Sequence, residues 1–137
     1  MNIAIVYDSH TGTTAKAAQR MGDALEEKGH QCQVQSVTDA DPAVVSASDL
    51  ICIGSWVQGL FIIFQHPTKE TMQFINQLGN LEGKRAVVFC TYMLAPGSTL
   101  RKMAKVLEKK GAKVEGQFEY RGPRPDSEFA AFVSSLN

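Results

Sequence analysis

The sequence has no excess of either charge: lysine plus arginine and aspartate plus glutamate number 14 each. A chain of zero net charge offers no electrostatic case for binding nucleic acid or an anionic membrane surface. Lys109-Lys110 is a local basic cluster, and a solvated helix end accounts for it. Cysteine is scarce. Cys32, Cys52 and Cys90 are odd in number and form no CxxC pair, which excludes a disulfide framework and points to free thiols in a reducing, cytoplasmic setting. The three histidines, His10, His30 and His66, share no ligand spacing with the cysteines, so no metal site is expected. No apolar run is long enough to span a bilayer. The N-terminus enters a strand-like run directly, without the basic and apolar regions of a signal peptide. Repeats, low-complexity tracts and linkers are also missing, so residues 1–137 read as one domain. Hydrophobic residues at 44% exclude a disordered chain.

What is present centres on Ser9-His10-Thr11-Gly12-Thr13-Thr14. It follows the apolar run Ile3–Tyr7 and precedes a helical pattern. N–H groups at a helix start have no intrahelical partner, and the helix dipole adds partial positive charge there. Four hydroxyls and one permissive glycine around such donors suit a phosphate group. The same residues also suit an ordinary helix cap and turn. Position favours the phosphate, because ligands of α/β sheets gather at the carboxyl ends of strands. No lysine follows Gly12, so this is not the nucleoside-triphosphate loop, and no GxGxxG marks a dinucleotide site.

Strands are expected at 1–7, 31–37, 49–54, 86–90 and 112–120, the second at or near an edge. Helices are expected at 13–28, with Gly29 as its stop, then at 67–78, 98–110 and 126–136, with a short helical turn near Pro42 to Val45. Alternating strands and helices imply an α/β fold with a five-stranded parallel sheet covered on both faces. Three loops leave strand ends: Ser9–Thr14, Ser55–His66 and Thr91–Gly97. The second offers Trp56 and Phe61, the third Tyr92 and Met93. A phosphate cradle beside aromatic-bearing loops suits a flat ring on a phosphorylated tail.

The run Ile5-Val6-Tyr7-Asp8-Ser9-His10-Thr11-Gly12-Thr13-Thr14, followed by Ala18, resembles the FMN phosphate loop of the flavodoxins. The element order resembles a short-chain flavodoxin throughout, because the fifth strand has no room for the long-chain insertion. The resemblance implies a three-layer sandwich of strand order 2-1-3-4-5, with noncovalent FMN. It implies that the phosphate sits on Ser9, His10, Thr11, Gly12, Thr13 and Thr14. The ring would lie between Ser55, Trp56, Val57, Gln58 and Gly59 on one loop and Thr91, Tyr92, Met93 and Gly97 on the other. A backbone carbonyl near Gln58-Gly59 would bond the ring at N5. The chain departs from the common carriers in its neutrality, in Gln58 where an aromatic typically precedes the glycine, and in Met93-Leu94-Ala95-Pro96 in the third loop.

Trp56 either stacks on the ring or plugs the core at a strand end, and Tyr92 either stacks or reaches solvent. His10 is expected to contribute its backbone. Asp8 would repel an anion, so it caps or faces outward. Cys90 is a buried, inert thiol. Leu60–Phe64 either packs on the domain or forms an exposed patch for a partner or substrate. The leading reading is an FMN-binding electron-transfer protein with a redox partner protein and no catalytic side chain. One alternative is an FMN-dependent reductase of a quinone-like or other small organic substrate. Another is a flavin-free binding module on the same fold.

Overall fold

The computed structural model describes residues 1–60 and 63–136. Five parallel strands lie in the order β2 (Gln31–Ser36), β1 (Asn2–Asp8), β3 (Leu50–Leu60), β5 (Arg85–Thr91) and β6 (Lys113–Tyr120). A sixth, β4 (Ile63–Pro67), pairs antiparallel with the far half of β3. The helices are α1 (Thr13–Glu27), α2 (Pro42–Ser46), α3 (Lys69–Gln77), α4 (Thr99–Lys109) and α5 (Ser127–Ser135).

The central strands are apolar on both faces, and alternation sends their side chains into two cores. Ala4, Val6, Ile51, Ile53, Ala86, Val88 and Cys90 face α2, α3 and α4. Ile3, Ile5, Leu50, Cys52, Val87 and Phe89 face α1 and α5. Each fully buried branched or aromatic side chain contributes about 2 kcal/mol, so these strands dominate the stability. As expected, β2 is an edge strand, and the short turn near Pro42 is a helix whose Asp41 carboxylate accepts the Ala43 N–H at 2.9 Å.

The sheet corrects one expectation. It has six strands, in the order β2-β1-β3-β5-β6 with β4 beside β3, and not five in the order 2-1-3-4-5. The difference lies in Ser55–His66, read from sequence as a loop. There β3 continues past the sheet edge and returns as β4, pairing Val57 with Pro67, Gln58 with His66 and Leu60 with Ile63. A register shift between Gln58 and Leu60, at Gly59 with φ 156°, breaks the period-two pattern that identifies a strand. Phe61 and Ile62, from the Leu60–Phe64 run, lie outside the described residues. Ile63 and Phe64 are 53% and 73% exposed.

Cys90 is buried, and loss of hydration pushes its thiol up to about 12, which keeps it protonated and inert. Among the described residues no group of His, Cys, Asp or Glu could hold a metal ion. No described helix is long and apolar enough to cross a membrane.

Candidate functional site

A cavity of about 760 Å³ opens at the carboxyl ends of β1, β3, β5 and β6. Four segments line it: His10, Thr11, Thr13 and Thr14; Trp56–Gly59 with Gln65; Thr91–Ala95; and Arg121–Pro123. The volume suits a ligand of cofactor size.

The first segment is shaped by Ser9, whose Oγ accepts the N–H groups of Gly12 at 3.1 Å and Ala15 at 3.2 Å. Gly12 is the N-cap of α1, with φ 93°. This left-handed conformation costs a residue with a Cβ about 1–2 kcal/mol. Its carbonyl accepts the Lys16 N–H. The N–H groups of Thr13 and Thr14 keep no partner among the described residues, the N-cap Gly12 has no side chain to satisfy them, and the first turn holds no acid. Those donors and the positive end of the helix dipole form an anion cradle beside the cavity.

Direct contacts tie the segments together. Thr14 Oγ1 and Thr91 Oγ1 share a buried hydrogen bond of 2.6 Å. The His10 ring stacks on Trp56 with centroids 4.8 Å apart and an interplanar angle of 27°. The Arg121 guanidinium lies 5.6 Å from the centre of the Tyr92 ring, and the Tyr92 N–H donates to Tyr120 O at 3.0 Å. Arg20 holds the Arg121–Pro123 segment from outside, donating to Pro123 O at 2.9 Å. Arg121 is the one Lys, Arg, Asp or Glu lining the cavity among the described residues.

Four sequence-selected residues do not line the cavity. Ser9 and Gly12 shape the cradle from beneath. Ser55 is fully buried. Its Oγ accepts the Thr68 N–H at 3.0 Å and donates to Trp56 O at 2.7 Å. Thr68 Oγ1 in turn donates to Asp8 Oδ2 at 2.5 Å and accepts the Thr71 N–H at 3.2 Å, capping α3. Asp8 thus turns away from the cavity and anchors the hairpin. Gly97, with φ 57°, lies where a Cβ would come within 2.6 Å of Gln65 Cβ, so it seats the hairpin against the start of α4.

The cavity also includes residues outside the expected set. Leu94 and Ala95 belong to the expected third loop. Arg121, Gly122 and Pro123 follow a strand end, the signal that singled out the other loops. Gln65 had no sequence signal, because only the β3–β4 pairing turns it inward.

The family model of the flavodoxin domain matches residues 4–128. The chain belongs to the flavodoxin family. It is an FMN-binding electron-transfer protein. Solved structures share the fold of this flavodoxin-family chain. Two-electron reduced Megasphaera elsdenii flavodoxin superposes with TM-score 0.82 at 23% identity, covering 98% of this chain and 99% of that one. Streptococcus pneumoniae TIGR4 flavodoxin gives 0.79 at 20% identity, covering 97% and 92%. Oxidised Flavodoxin 2 from Bacillus cereus gives 0.73 at 26% identity, covering 98% and 93%. No curated protein matches the chain.

The residues of this flavodoxin domain fit FMN. The acid-free start of α1, with the Thr13 and Thr14 N–H groups open, suits the phosphate, and a cavity bordered by Trp56 and Tyr92 suits the ring.

Proposed function

We propose that FMN binds this cavity noncovalently, with its phosphate on the cradle of Ser9, His10, Thr11, Gly12, Thr13 and Thr14. The ring lies between Ser55–Gly59 and Thr91–Gly97. Ser9, Gly12, Ser55 and Gly97 act by shaping these walls. Trp56, Val57, Gln58, Gly59, Thr91, Tyr92 and Met93 form them. The observation that carries this reading is the free N–H pair of Thr13 and Thr14, which opens into a cavity bordered by two aromatic residues.

Bound FMN supplies the redox chemistry, taking up and releasing one or two electrons. The chain binds and orients it. Thr13 and Thr14 donate to the phosphate, the His10–Trp56 pair supports one wall, and Tyr92 with Arg121 supports another. A backbone carbonyl near Gln58-Gly59 would accept a hydrogen bond from the N5–H of the reduced ring. Residues 1–137 serve as one domain, in the cytoplasm, as a carrier between redox partner proteins. Three buried or half-buried free thiols support that compartment.

Titration of the ligand-free protein with FMN tests the site. Trp56 is the sole tryptophan, so its fluorescence should fall to a one-to-one end point as the flavin spectrum shifts. Unchanged fluorescence and spectrum would overturn the assignment. Steady NADPH oxidation by the loaded protein alone, with a quinone as acceptor, would replace the carrier reading with a reductase.

A further inference from the structure

The zero net charge of the chain conceals a segregation of charge. Helix α4 carries Arg101, Lys102, Lys105 and Lys109 against one carboxylate, Glu108. Its first turn holds no acid, and Arg101 and Lys102 stand close to its N-terminus, where the helix dipole disfavours cations. By contrast, α3 and α5 each carry an acid in the first turn. The placement of Arg101 and Lys102 therefore works against the helix, whereas Lys109 in the last turn favours it.

Nor does the fold neutralise these cations. Arg85–Glu115 is the one Lys or Arg ion pair with a carboxylate among the described residues. Lys102 Nζ donates to Gln65 O at 3.0 Å, while the exposed side chains of Arg101, Lys105 and Lys109 have no hydrogen bond or ion pair among the described residues. Between α4, α3 and β4 runs a groove of about 440 Å³, with Pro67, Met72 and Val106 at its floor and His66, Lys69, Lys102 and Lys105 around it. No carboxylate lines it among the described residues.

This groove adjoins the FMN cavity. Lys102 bonds the backbone of Gln65, and Gln65 lines the cavity. Four large apolar side chains stand exposed nearby: Ile63 and Phe64 on β4, and Met93 and Leu94 in the loop before α4. An apolar centre with a charged rim is the anatomy of a protein interface.

We propose that β4 and the basic face of α4 form the docking surface for the electron-transfer partner, and that the partner presents an acidic face around an apolar patch. This rests on the FMN-carrier reading. Charge complementarity fixes the sign of the partner and speeds its encounter. The apolar floor and exposed Phe64 and Met93 favour a folded protein over nucleic acid, whose phosphate backbone rewards cations alone. Docking here brings the partner against Gln65 and Met93 on the cavity wall.

The test uses the FMN-loaded protein, an acidic [2Fe–2S] ferredoxin as probe and a basic cytochrome c as its opposite. Amide shift mapping with the ferredoxin should mark β4, Lys69 and α4. Its electron-transfer rate should fall as salt rises, and the triple variant Lys69→Gln/Lys105→Gln/Lys109→Gln should be about tenfold slower at low salt. The three side chains are exposed and away from the FMN cavity, so the variant should keep its flavin spectrum. Shifts confined to other faces, an unchanged rate in the variant, or stronger docking of cytochrome c would overturn the proposal. So would tighter binding of a short DNA duplex to the same face. A protein that takes up no FMN would instead overturn the carrier reading, and the shift mapping, which needs no flavin, would still judge the surface.

Discussion

The loop at 9–14 and the hairpin at 55–67 border the same cavity but are built in opposite ways. The loop is local. Ser9 Oγ accepts two N–H groups within six residues, and Gly12 turns the chain into α1. The hairpin is held from a distance. Ser55 and Asp8 hold it through Thr68, His10 holds it through Trp56, and Gly97 and Lys102 hold it through Gln65. Anion binding by a helix start needs only the backbone that follows one strand. A wall for a flat ring needs side chains fixed on several elements. The backbone of the 9–14 loop is therefore set within its own segment, though the Thr14 and His10 side chains reach Thr91 and Trp56, whereas the hairpin depends on the rest of the fold.

Substitutions at the anchors of the hairpin test this contrast. Gly97→Val adds left-handed strain and a clash with Gln65, and should cost about 3 kcal/mol in urea unfolding. A cost near zero would mean that the hairpin is not seated there. Thr68→Val leaves Asp8 without its partner and uncaps α3, while the Thr68 N–H still reaches Ser55. We expect a loss of about 2 kcal/mol, while the α1 cradle keeps its inorganic phosphate affinity. If phosphate affinity falls in step with stability, the two regions are not independent. His10→Ala removes the contact between them, and the stack contributes about 1 kcal/mol. Trp56 fluorescence in the ligand-free protein should change with little loss of fold, and an unchanged spectrum would mean that the rings do not stack in solution. Arg121→Gln has the smallest effect. Removing the Arg121 charge from the cavity wall should lower the midpoint potential of the bound flavin by tens of millivolts, because a nearby cation favours added electrons and solvent screens much of it. An unchanged potential would place the guanidinium away from the ring.

The same contrast explains what the sequence reveals. Both-face apolar strands and amphipathic helices are local patterns, and β1, β3, β5 and the helices lie near their expected positions. The cradle is also legible, since Ser9 and Gly12 act within one turn. The hairpin is not. Gly59 and its register shift interrupt alternation, no Asn-Gly turn marks the reversal, and Gln65 enters the cavity only through pairing with β3. Ser55 sits beside Trp56 in sequence, yet its side chain points to Thr68 because successive strand residues face opposite ways. Arg121 follows directly on the end of β6. Its place over Tyr92 requires β5 and β6 to be neighbours.

The central claim is that the start of α1 holds the phosphate of FMN. Comparing the affinities of FMN and riboflavin, which lacks only that phosphate, measures it directly. Two charge-assisted hydrogen bonds from Thr13 and Thr14 predict FMN binding tighter by about a hundredfold or more. Equal affinities would contradict the account.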